Sequence, residues 1–358
     1  MIAIIVGISW ALLIALLSVF AFIALLLLAG FLYQCIGGII DCQRLRTRGR
    51  LVDIGNDRRL YLVEKGPRDR QPTVVFESGF GATSLNWAHI QEALAPHVHT
   101  VAYDRCGLGW SSACVSDRTP THVAAELRKL LHTAGIEPPY LLTGHSFGGL
   151  VMQRFALDYP DETAGVILID PMRTDEWPPV NTTAHARIAR AQRLTRVGAT
   201  CARLGLTRLA ARSHLCGSAR LSGFLIHLAG PQGEYLGRRL NTEIGKMPAN
   251  VRPSIAAHWS APRFYRGLLA HLNAVRDTVA EMHNVEPICD TPVVLLTPVG
   301  TAPIDDMRPY GPHSRHIVAE NSQHWIHLDE PALVVRTILD FVAIPRQHVR
   351  ERALSVRS

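Results

Sequence analysis

Tyr140-Leu-Leu-Thr-Gly-His-Ser-Phe-Gly-Gly149 is the stretch that decides the fold of this 358-residue chain. The apolar run at residues 140–143 predicts a buried strand, and helical spacing begins directly after Ser146. Glycines stand two positions before and two positions after this serine, where a sharp turn from strand to helix crowds the backbone. Such a turn, a nucleophile elbow, presents the serine hydroxyl at the end of the strand. The stretch therefore predicts a strand–turn–helix unit with Ser146 as a candidate nucleophile.

Apolar runs and helical spacing alternate on both sides of the elbow. Residues 50–55 and 59–64 predict an antiparallel hairpin. Further strands are predicted at residues 73–77, 100–103, 165–169, 292–296 and 316–319, and helices at residues 119–133, 147–158 and 331–342. Because strands that are continuous apolar runs are buried on both faces, we predict an α/β fold whose mostly parallel central sheet has helices on both faces.

The alternation stops between residues 172 and 287, where the pattern is mostly helical. An insertion between two strands of a parallel sheet is expected above the strand ends, so we predict a helical cap over the site. Ten arginines and one acid, Glu234, occur within residues 181–240. This arginine stripe is either a solvated face or a contact with anionic lipid or an acidic substrate group.

The first 40 residues contain no Asp, Glu, Lys or Arg and are almost entirely apolar. About 20 apolar residues span a bilayer core. A cleaved signal peptide would instead need a basic start and an apolar stretch of about 7–15 residues. We predict a single-pass anchor that contacts membrane lipid. Basic residues follow only on its C-terminal side, at Arg44, Arg46, Arg48 and Arg50, which places the rest of the chain in the cytoplasm by the positive-inside rule.

These patterns predict five segments. They are a transmembrane anchor at 1–40, the first part of an α/β core at 41–171, a helical cap at 172–287, the second part of the core at 288–345, and a basic tail at 346–358.

Composition excludes several classes of protein. The chain is 47% hydrophobic and 19% charged, which is too apolar for a disordered protein. Its seven cysteines are scattered without a C-x-x-C pair, which argues against a disulfide scaffold. The net charge of +7 comes without a nucleic-acid-binding module, so we predict no nucleic-acid partner. No H-E-x-x-H, phosphate-loop or dinucleotide motif occurs, and we predict no metal and no cofactor.

A serine hydroxyl is a weak nucleophile unless a base takes its proton. In an elbow-bearing α/β fold the partners follow the serine in the order acid, then histidine. His324 lies just past the last predicted strand and before the final helix, in a loop that can reach back over Ser146. His327 is the second candidate, while His313 and His316 lie before or inside the strand.

Two positions are open for the acid that orients this histidine. Asp170 directly follows the strand predicted at 165–169, where a carboxylate is well placed to hold the imidazole. Asp305 and Asp306 follow the next strand, but at a distance of several residues. An acyl intermediate also needs an oxyanion hole. The predicted donors are the backbone N–H groups of Phe147, directly after the nucleophile, and of Phe80, in the glycine-rich loop after residues 73–77.

With these residues in place, the chain from about 50 to 343 resembles the α/β-hydrolase superfamily in its capped, esterase- and lipase-like branch. The matching pieces are Glu77-Ser-Gly-Phe-Gly81, Tyr103-Asp-Arg-Cys-Gly-Leu-Gly-Trp-Ser111, Gly144-His-Ser-Phe-Gly-Gly149, Val166-Ile-Leu-Ile-Asp-Pro171 and His324-Trp-Ile-His-Leu-Asp-Glu-Pro331.

The resemblance implies hydrolysis of esters, amides or similar carbonyl compounds, and we expect a small ester with an apolar acyl group. Haloalkane dehalogenases and epoxide hydrolases of this fold use an aspartate nucleophile, whereas this chain has Ser146. Many relatives have glycine before the catalytic histidine, whereas this chain has Gln323. Two alternatives therefore stay open: an inactive hydrolase fold that serves as a binding or scaffold protein, and a cofactor-free haloperoxidase-like enzyme.

Overall fold

The computed structural model describes residues 2–113, 118–177, 179, 181, 183–215, 245–283, 285–288, 291–301 and 310–343. Eight strands form one sheet in the order β1-β2-β4-β3-β5-β6-β7-β8. The strands are β1 (Arg50–Asp53), β2 (Arg59–Lys65), β3 (Thr73–Glu77), β4 (Thr100–Asp104), β5 (Tyr140–His145), β6 (Thr163–Ile169), β7 (Val293–Pro298) and β8 (Ser314–Ala319). Strands β1 and β2 are antiparallel to their neighbours and the remaining pairs are parallel. The predicted mostly parallel sheet is confirmed.

Helices cover both faces of this sheet, and one long helix precedes the first strand. The helices within the described residues are α1 (Ile2–Leu45), α2 (Ala88–Leu94), α3 (Pro120–Thr133), α4 (Phe147–Asp158), α5 (Ala184–Arg203), α6 (Leu206–Leu215), α7 (Arg252–Trp259), α8 (Pro262–Asn273), α9 (Val275–Met282), α10 (Ile326–Asp329) and α11 (Pro331–Ala343). Helices α3, α4 and α9 pack on one face of the sheet, and α2 and α11 pack on the other.

The central strands are apolar on both sides because both sides are covered. In β3, Val75 packs in the cluster that includes α3 and α4, while Val74 and Phe76 pack in the cluster that includes α2 and α11. Every residue of β3 and β5 is buried. A strand buried on both faces needs no alternation of polar residues, which is why the sequence shows continuous apolar runs.

The described parts of the segment between β6 and β7 contain helices and loops but no strand, and α8 places the segment over the sheet. The Phe264 ring lies against Gly81 in the loop after β3, and Gly267 packs against the backbone of Gly107 in the loop after β4. These loops follow the carboxyl ends of parallel strands, where open α/β sheets bind their ligands. Helix α9 differs from the other helices of this segment, because its Val279 belongs to the core cluster that also includes α3 and α4. The tail predicted at 346–358 lies outside the described residues.

Helix α1 is the one described helix long and apolar enough to cross a membrane. Side chains at residues 10–28 are exposed, while part of the helix beyond Gly30 packs against the α5–α6 region. The long apolar N-terminal helix expected from the sequence is therefore present.

Candidate active site

The turn from β5 to α4 has the strained geometry predicted for Ser146. Its φ is 55° and its ψ is −121°, a backbone conformation that residues other than glycine rarely adopt. A Cβ at Gly144 would collide with the carbonyl of Gly148, and a Cβ at Gly148 would collide with the carbonyl of Glu77. Only glycine fits at these two positions, so the sequence pattern and the backbone agree on an elbow.

Asp170 and His324 form a hydrogen-bonded pair at the carboxyl end of the sheet. Asp170 follows β6 with φ at 40°, and its Oδ2 lies 2.7 Å from Nδ1 of His324. The His324 side chain is about 40% exposed and the Asp170 side chain 18%. Since Nδ1 is engaged by the carboxylate, Nε2 is the ring nitrogen left to exchange a proton with a substrate or a nucleophile.

Ser146 is connected to this pair through its neighbours. The Nε2–H of His145 donates to the carbonyl oxygen of His324 at 2.8 Å, and the two imidazole rings are 4.6 Å apart. The N–H of Met172 donates to the carbonyl oxygen of Ser146, which holds the elbow beside the Asp170 loop. Across the described residues, no hydrogen bond joins the Ser146 hydroxyl to His324.

The other candidates have different surroundings. Asp305 and Asp306 lie outside the described residues. His327 is buried against the Trp87 ring at 4.6 Å, and burial lowers its pKa to about 3. Nε2 of His316 is engaged by the Thr297 hydroxyl at 2.7 Å. His324 is the candidate that is seen hydrogen-bonded to a carboxylate beside the elbow.

The loop after β3 lies against the elbow, as an oxyanion hole requires. A Cβ on Gly79 would stand 3.2 Å from the Cβ of Ser146, and the rings of Phe80 and Phe147 are 4.6 Å apart. Phe147 is the first residue of α4, so its N–H has no partner within its own helix. Both predicted donors therefore belong to backbone beside Ser146.

The comparisons with known proteins agree with this architecture. A family model described as "alpha/beta hydrolase fold" matches residues 72–210. The solved structure of wild-type Cfl2 from Burkholderia cenocepacia superposes with a TM-score of 0.62 at 22% identity, covering 84% of this chain and 97% of that one. This is the α/β-hydrolase fold.

Two curated relatives extend the comparison. An "AB hydrolase superfamily protein" of Gibberella zeae is 34% identical over 120 residues, which are 32% of this chain and 37% of the relative. The "(Lyso)-N-acylphosphatidylethanolamine lipase" of Bos taurus is 30% identical over 139 residues, which are 37% of this chain and 40% of the lipase. The matches span well under half of either relative, so they identify a hydrolase fold and leave the substrate open.

A buried arginine that the sequence patterns do not single out holds the loop after β3, named here the oxyanion loop because it carries the predicted Phe80 donor. Arg105 donates from Nη1 to Oε1 of Glu77 at 2.7 Å and to the carbonyl of Ser78, and from Nη2 to the carbonyl of Gly79. The Gly79–Phe80 peptide is trans, so its N–H points opposite to the carbonyl that Arg105 holds. Arg105 thereby fixes the direction of the Phe80 N–H.

The same arginine connects this loop to helix α8. The Nε–H of Arg105 donates to Nε2 of His271 in α8 at 3.0 Å, and its guanidinium lies 5.1 Å from the Phe147 ring centroid. Burial, and then the Arg105 charge, lower the pKa of His271 well below its usual range, so this imidazole is neutral and accepts the bond. Burial raises the pKa of Glu77, and the Arg105 charge opposes that effect.

A signal for this cluster is present in the sequence. Glu77 ends a strand that is otherwise apolar, and Arg105 follows another. A charged residue at the end of a fully buried strand needs a partner, since unpaired buried charges are costly. Two such residues of opposite sign predict a buried ion pair.

No group of three His, Cys, Asp or Glu side chains in the described ranges is arranged to hold a metal ion.

Proposed function

We propose that the protein is a serine hydrolase that cleaves a carboxylic ester through an acyl-enzyme intermediate. Ser146 Oγ attacks the ester carbonyl while His324 Nε2 takes the hydroxyl proton, and Asp170 stabilises the resulting imidazolium. The N–H groups of Phe80 and Phe147 bind the oxyanion. His324 then gives the proton to the leaving alcohol, and water attacks the acyl-enzyme to release the acid and restore Ser146.

One observation carries this proposal: the hydrogen bond between Asp170 and His324 beside a serine with positive φ. Backbone strain of this kind costs about 1–3 kcal/mol per residue and persists where the surrounding structure enforces it, often at functional sites. Ser146 and Asp170 both have a strained backbone of this kind. They directly follow β5 and β6, which are neighbours in the sheet. A binding protein of the same fold has no need of a strained serine next to an acid–histidine pair.

The substrate we propose has an apolar acyl group. Phe80 packs on Phe147 at 4.6 Å and lies 6.4 Å from Trp177, so aromatic rings border the oxyanion loop. Apolar surroundings of this kind favour an apolar substrate group. The similarity to a lipase that is named for an N-acylphospholipid is compatible with this substrate class.

We also propose that α1 anchors the enzyme in a membrane with the hydrolase domain in the cytoplasm. The helix is long, apolar and exposed, and the basic residues that flank it lie on its C-terminal side. A reporter fused to the C-terminus is expected to be active in the cytoplasm. A reporter that is active only on the other side of the membrane would contradict this orientation.

The proposal is tested by labelling with a fluorophosphonate probe, which reacts with an activated serine. Wild-type protein is expected to be labelled and the Ser146→Ala variant not. Ser112→Ala is a matched control, since the Ser112 hydroxyl accepts a hydrogen bond from the backbone N–H of Arg59 at the start of β2. Labelling that persists in Ser146→Ala would exclude this nucleophile. A wild type that neither labels nor hydrolyses short nitrophenyl esters would favour the binding-protein alternative.

A second arm of this test identifies the acid. The Asp170→Asn variant keeps the shape of the side chain but removes the charge that stabilises the imidazolium. Its turnover of a nitrophenyl ester is expected to fall by up to about 10⁴-fold, as in other triads of this type. Asp305→Asn and Asp306→Asn are expected to retain turnover, and a collapse in either of them would move the role of the acid there.

A further inference from the structure

The cap is docked on the N-terminal helix through close backbone contact. A Cβ at Gly30 would collide with the carbonyl of Leu204, and Gly37 leaves room for the Arg208 side chain. Arg208 is buried, donates from Nε to Oε1 of Gln34 at 3.1 Å, and forms an ion pair with Asp41. Helix α1 and the α5–α6 hairpin therefore form one packed unit.

Along the stretch that contacts the cap, the exposed face of α1 remains apolar. Phe31, Leu32, Ile36 and Ile39 are 47–60% exposed, and they continue the exposed apolar surface of residues 10–28. An apolar surface this large is not stable in water on a monomer. If lipid covers α1 as the proposed function requires, the interfacial layer of the bilayer also covers this face beyond Gly30.

The cap exposes apolar side chains where it meets this helix. Val197, Leu206 and Leu209 on α5 and α6 are 56%, 42% and 39% exposed. Leu206 lies between the two residues that contact Gly30 and Gly37, which are Leu204 and Arg208, and Leu209 directly follows Arg208. Both leucines therefore lie near the part of α1 with the exposed apolar face.

The helices that carry these apolar side chains are rich in arginine. Helices α5 and α6 contain seven arginines and no acidic residue. Six of the seven are exposed or carry exposed guanidinium groups, and the seventh is the buried Arg208; the six are Arg187, Arg190, Arg193, Arg196, Arg203 and Arg212. Exposed apolar residues among cationic side chains are the pattern of a helix that lies in a membrane interface.

We propose that the α5–α6 end of the cap is seated in the interfacial layer of the same bilayer that holds α1, with Leu206 and Leu209 among the acyl chains and the arginines against anionic lipid headgroups. This inference rests on the proposed membrane anchor. Residues 10–29 cover about 30 Å at 1.5 Å per residue, which is the thickness of a bilayer core. Gly30 and the cap contact therefore fall at the membrane surface.

The seated cap places the active site at the membrane surface. Helix α8 of the cap contacts the oxyanion loop and holds Arg105 through His271. An ester dissolved in the bilayer would then reach Ser146 along the cap without crossing water. The substrate class that fits this arrangement is an ester of a lipid.

The depth of the cap can be measured on the full chain in vesicles of phosphatidylcholine and phosphatidylserine. A fluorescent dansylalanine is placed at position 209 by amber suppression, and nitroxide-labelled lipid is added as a quencher. The matched control carries the probe at position 69, an exposed site before β3 at the opposite edge of the sheet. We expect severalfold stronger quenching at 209 than at 69. Equal quenching at the two positions, or failure of the protein to float with the vesicles, would overturn the proposal.

A second measurement uses activity. The Leu206→Glu/Leu209→Glu variant places two charges on exposed positions and is expected to lower hydrolysis of a vesicle-borne ester roughly tenfold. Hydrolysis of a water-soluble nitrophenyl ester is expected to stay unchanged. An equal effect on both esters would contradict the seating of the cap. If the wild type hydrolyses neither ester, the proposed catalytic function fails, while the quenching result still decides the position of the cap.

Discussion

At the scale of single residues, catalysis in this site would depend on a group that touches no substrate. Arg105 binds the carbonyls of Ser78 and Gly79 and the carboxylate of Glu77 with one planar guanidinium. The rigid fork of an arginine can hold several acceptors in fixed directions, which a lysine ammonium cannot do. Arg105 is therefore a positioning residue for the Phe80 N–H.

The Arg105→Lys variant is expected to keep its charge next to Glu77 and lose the fixed peptide orientation. Because one oxyanion donor is worth about 10²–10³ in kcat, we expect kcat to fall by about tenfold or more with little change in KM. The affinity for a trifluoromethyl ketone, which mimics the tetrahedral intermediate, is expected to fall in parallel with kcat.

Arg58→Lys is the control for this variant, since Arg58 also pairs with a carboxylate, at 2.6 Å from Glu126, but lies away from the elbow. A normal kcat in the Arg105→Lys variant would contradict the role of Arg105 in positioning the Phe80 N–H. So would equal losses of affinity for the ketone and for the substrate, which would indicate a general structural defect.

Single residues also show what the sequence could predict of the site. The turn at Ser146 was predictable because the steric reason for its two glycines is local. The hydrogen bonds between Asp170 and His324, 154 positions apart, and between His145 and His324, 179 positions apart, depend on the completed sheet. Chain order and strand ends left Asp170 open as the acid, and also Asp305 or Asp306, because several strand ends meet at one edge of the sheet.

At the scale of elements, the docking of α1 on the cap depends on one buried ion pair. The side chains of Arg208 and Asp41 are 3% and 12% exposed. Removing one partner of a buried pair leaves an uncompensated charge, which costs about 3–5 kcal/mol. Arg212 lies 3.9 Å from the other oxygen of Asp41 and partly compensates for the loss.

The Arg208→Met variant is therefore expected to lose about 3 kcal/mol of the free energy of unfolding, the lower end of that range. Denaturant titration in detergent micelles measures this loss. Adding Asp41→Leu to the same chain is expected to recover most of it, because both charges are then absent. Arg203→Met, an exposed arginine at the end of α5, should change the free energy by less than about 0.5 kcal/mol. A loss in Arg208→Met no larger than that in Arg203→Met would contradict the importance of the pair.

Elements were the best-predicted part of the structure. The strand expected at 73–77 is β3, with the same bounds, and the helix expected at 147–158 is α4. Both depend on local periodicity, which a sequence displays directly. The contact between α1 and α6 was not predicted, since glycines at 30 and 37 in an apolar helix do not reveal which helix approaches them.

At the scale of the whole molecule, buried histidines make stability depend on pH. Burial lowers the pKa of His327 and of His258 to about 3, and it lowers the pKa of His145 and of His271 well below the usual range. Between pH 6.5 and about 3, an unfolded histidine binds a proton that the folded one does not. The contribution of these histidines to the free energy of unfolding is fully present above pH 6.5 and is lost as the pH falls below that value.

The His327→Phe variant tests this relation. A phenylalanine can keep the stacking on Trp87 and has no group to protonate. Between pH 5.5 and 4, the free energy of unfolding of the wild type is expected to fall more steeply than that of the variant, by about 1.4 kcal/mol per pH unit. Titration of the remaining groups cancels in this difference. Parallel pH profiles would show that His327 is protonated in the folded protein.

The connection between α1 and the sheet is short, and this restricts how the protein would meet its substrate. Residues 46–49 join Leu45 to Arg50 and reach about 14 Å when fully extended. With α1 in a bilayer, the sheet could not travel away from its anchor to search the surrounding solution. Encounters would take place in two dimensions by lateral diffusion, so the rate would follow the number of substrate molecules per unit area of membrane rather than their amount per volume of water.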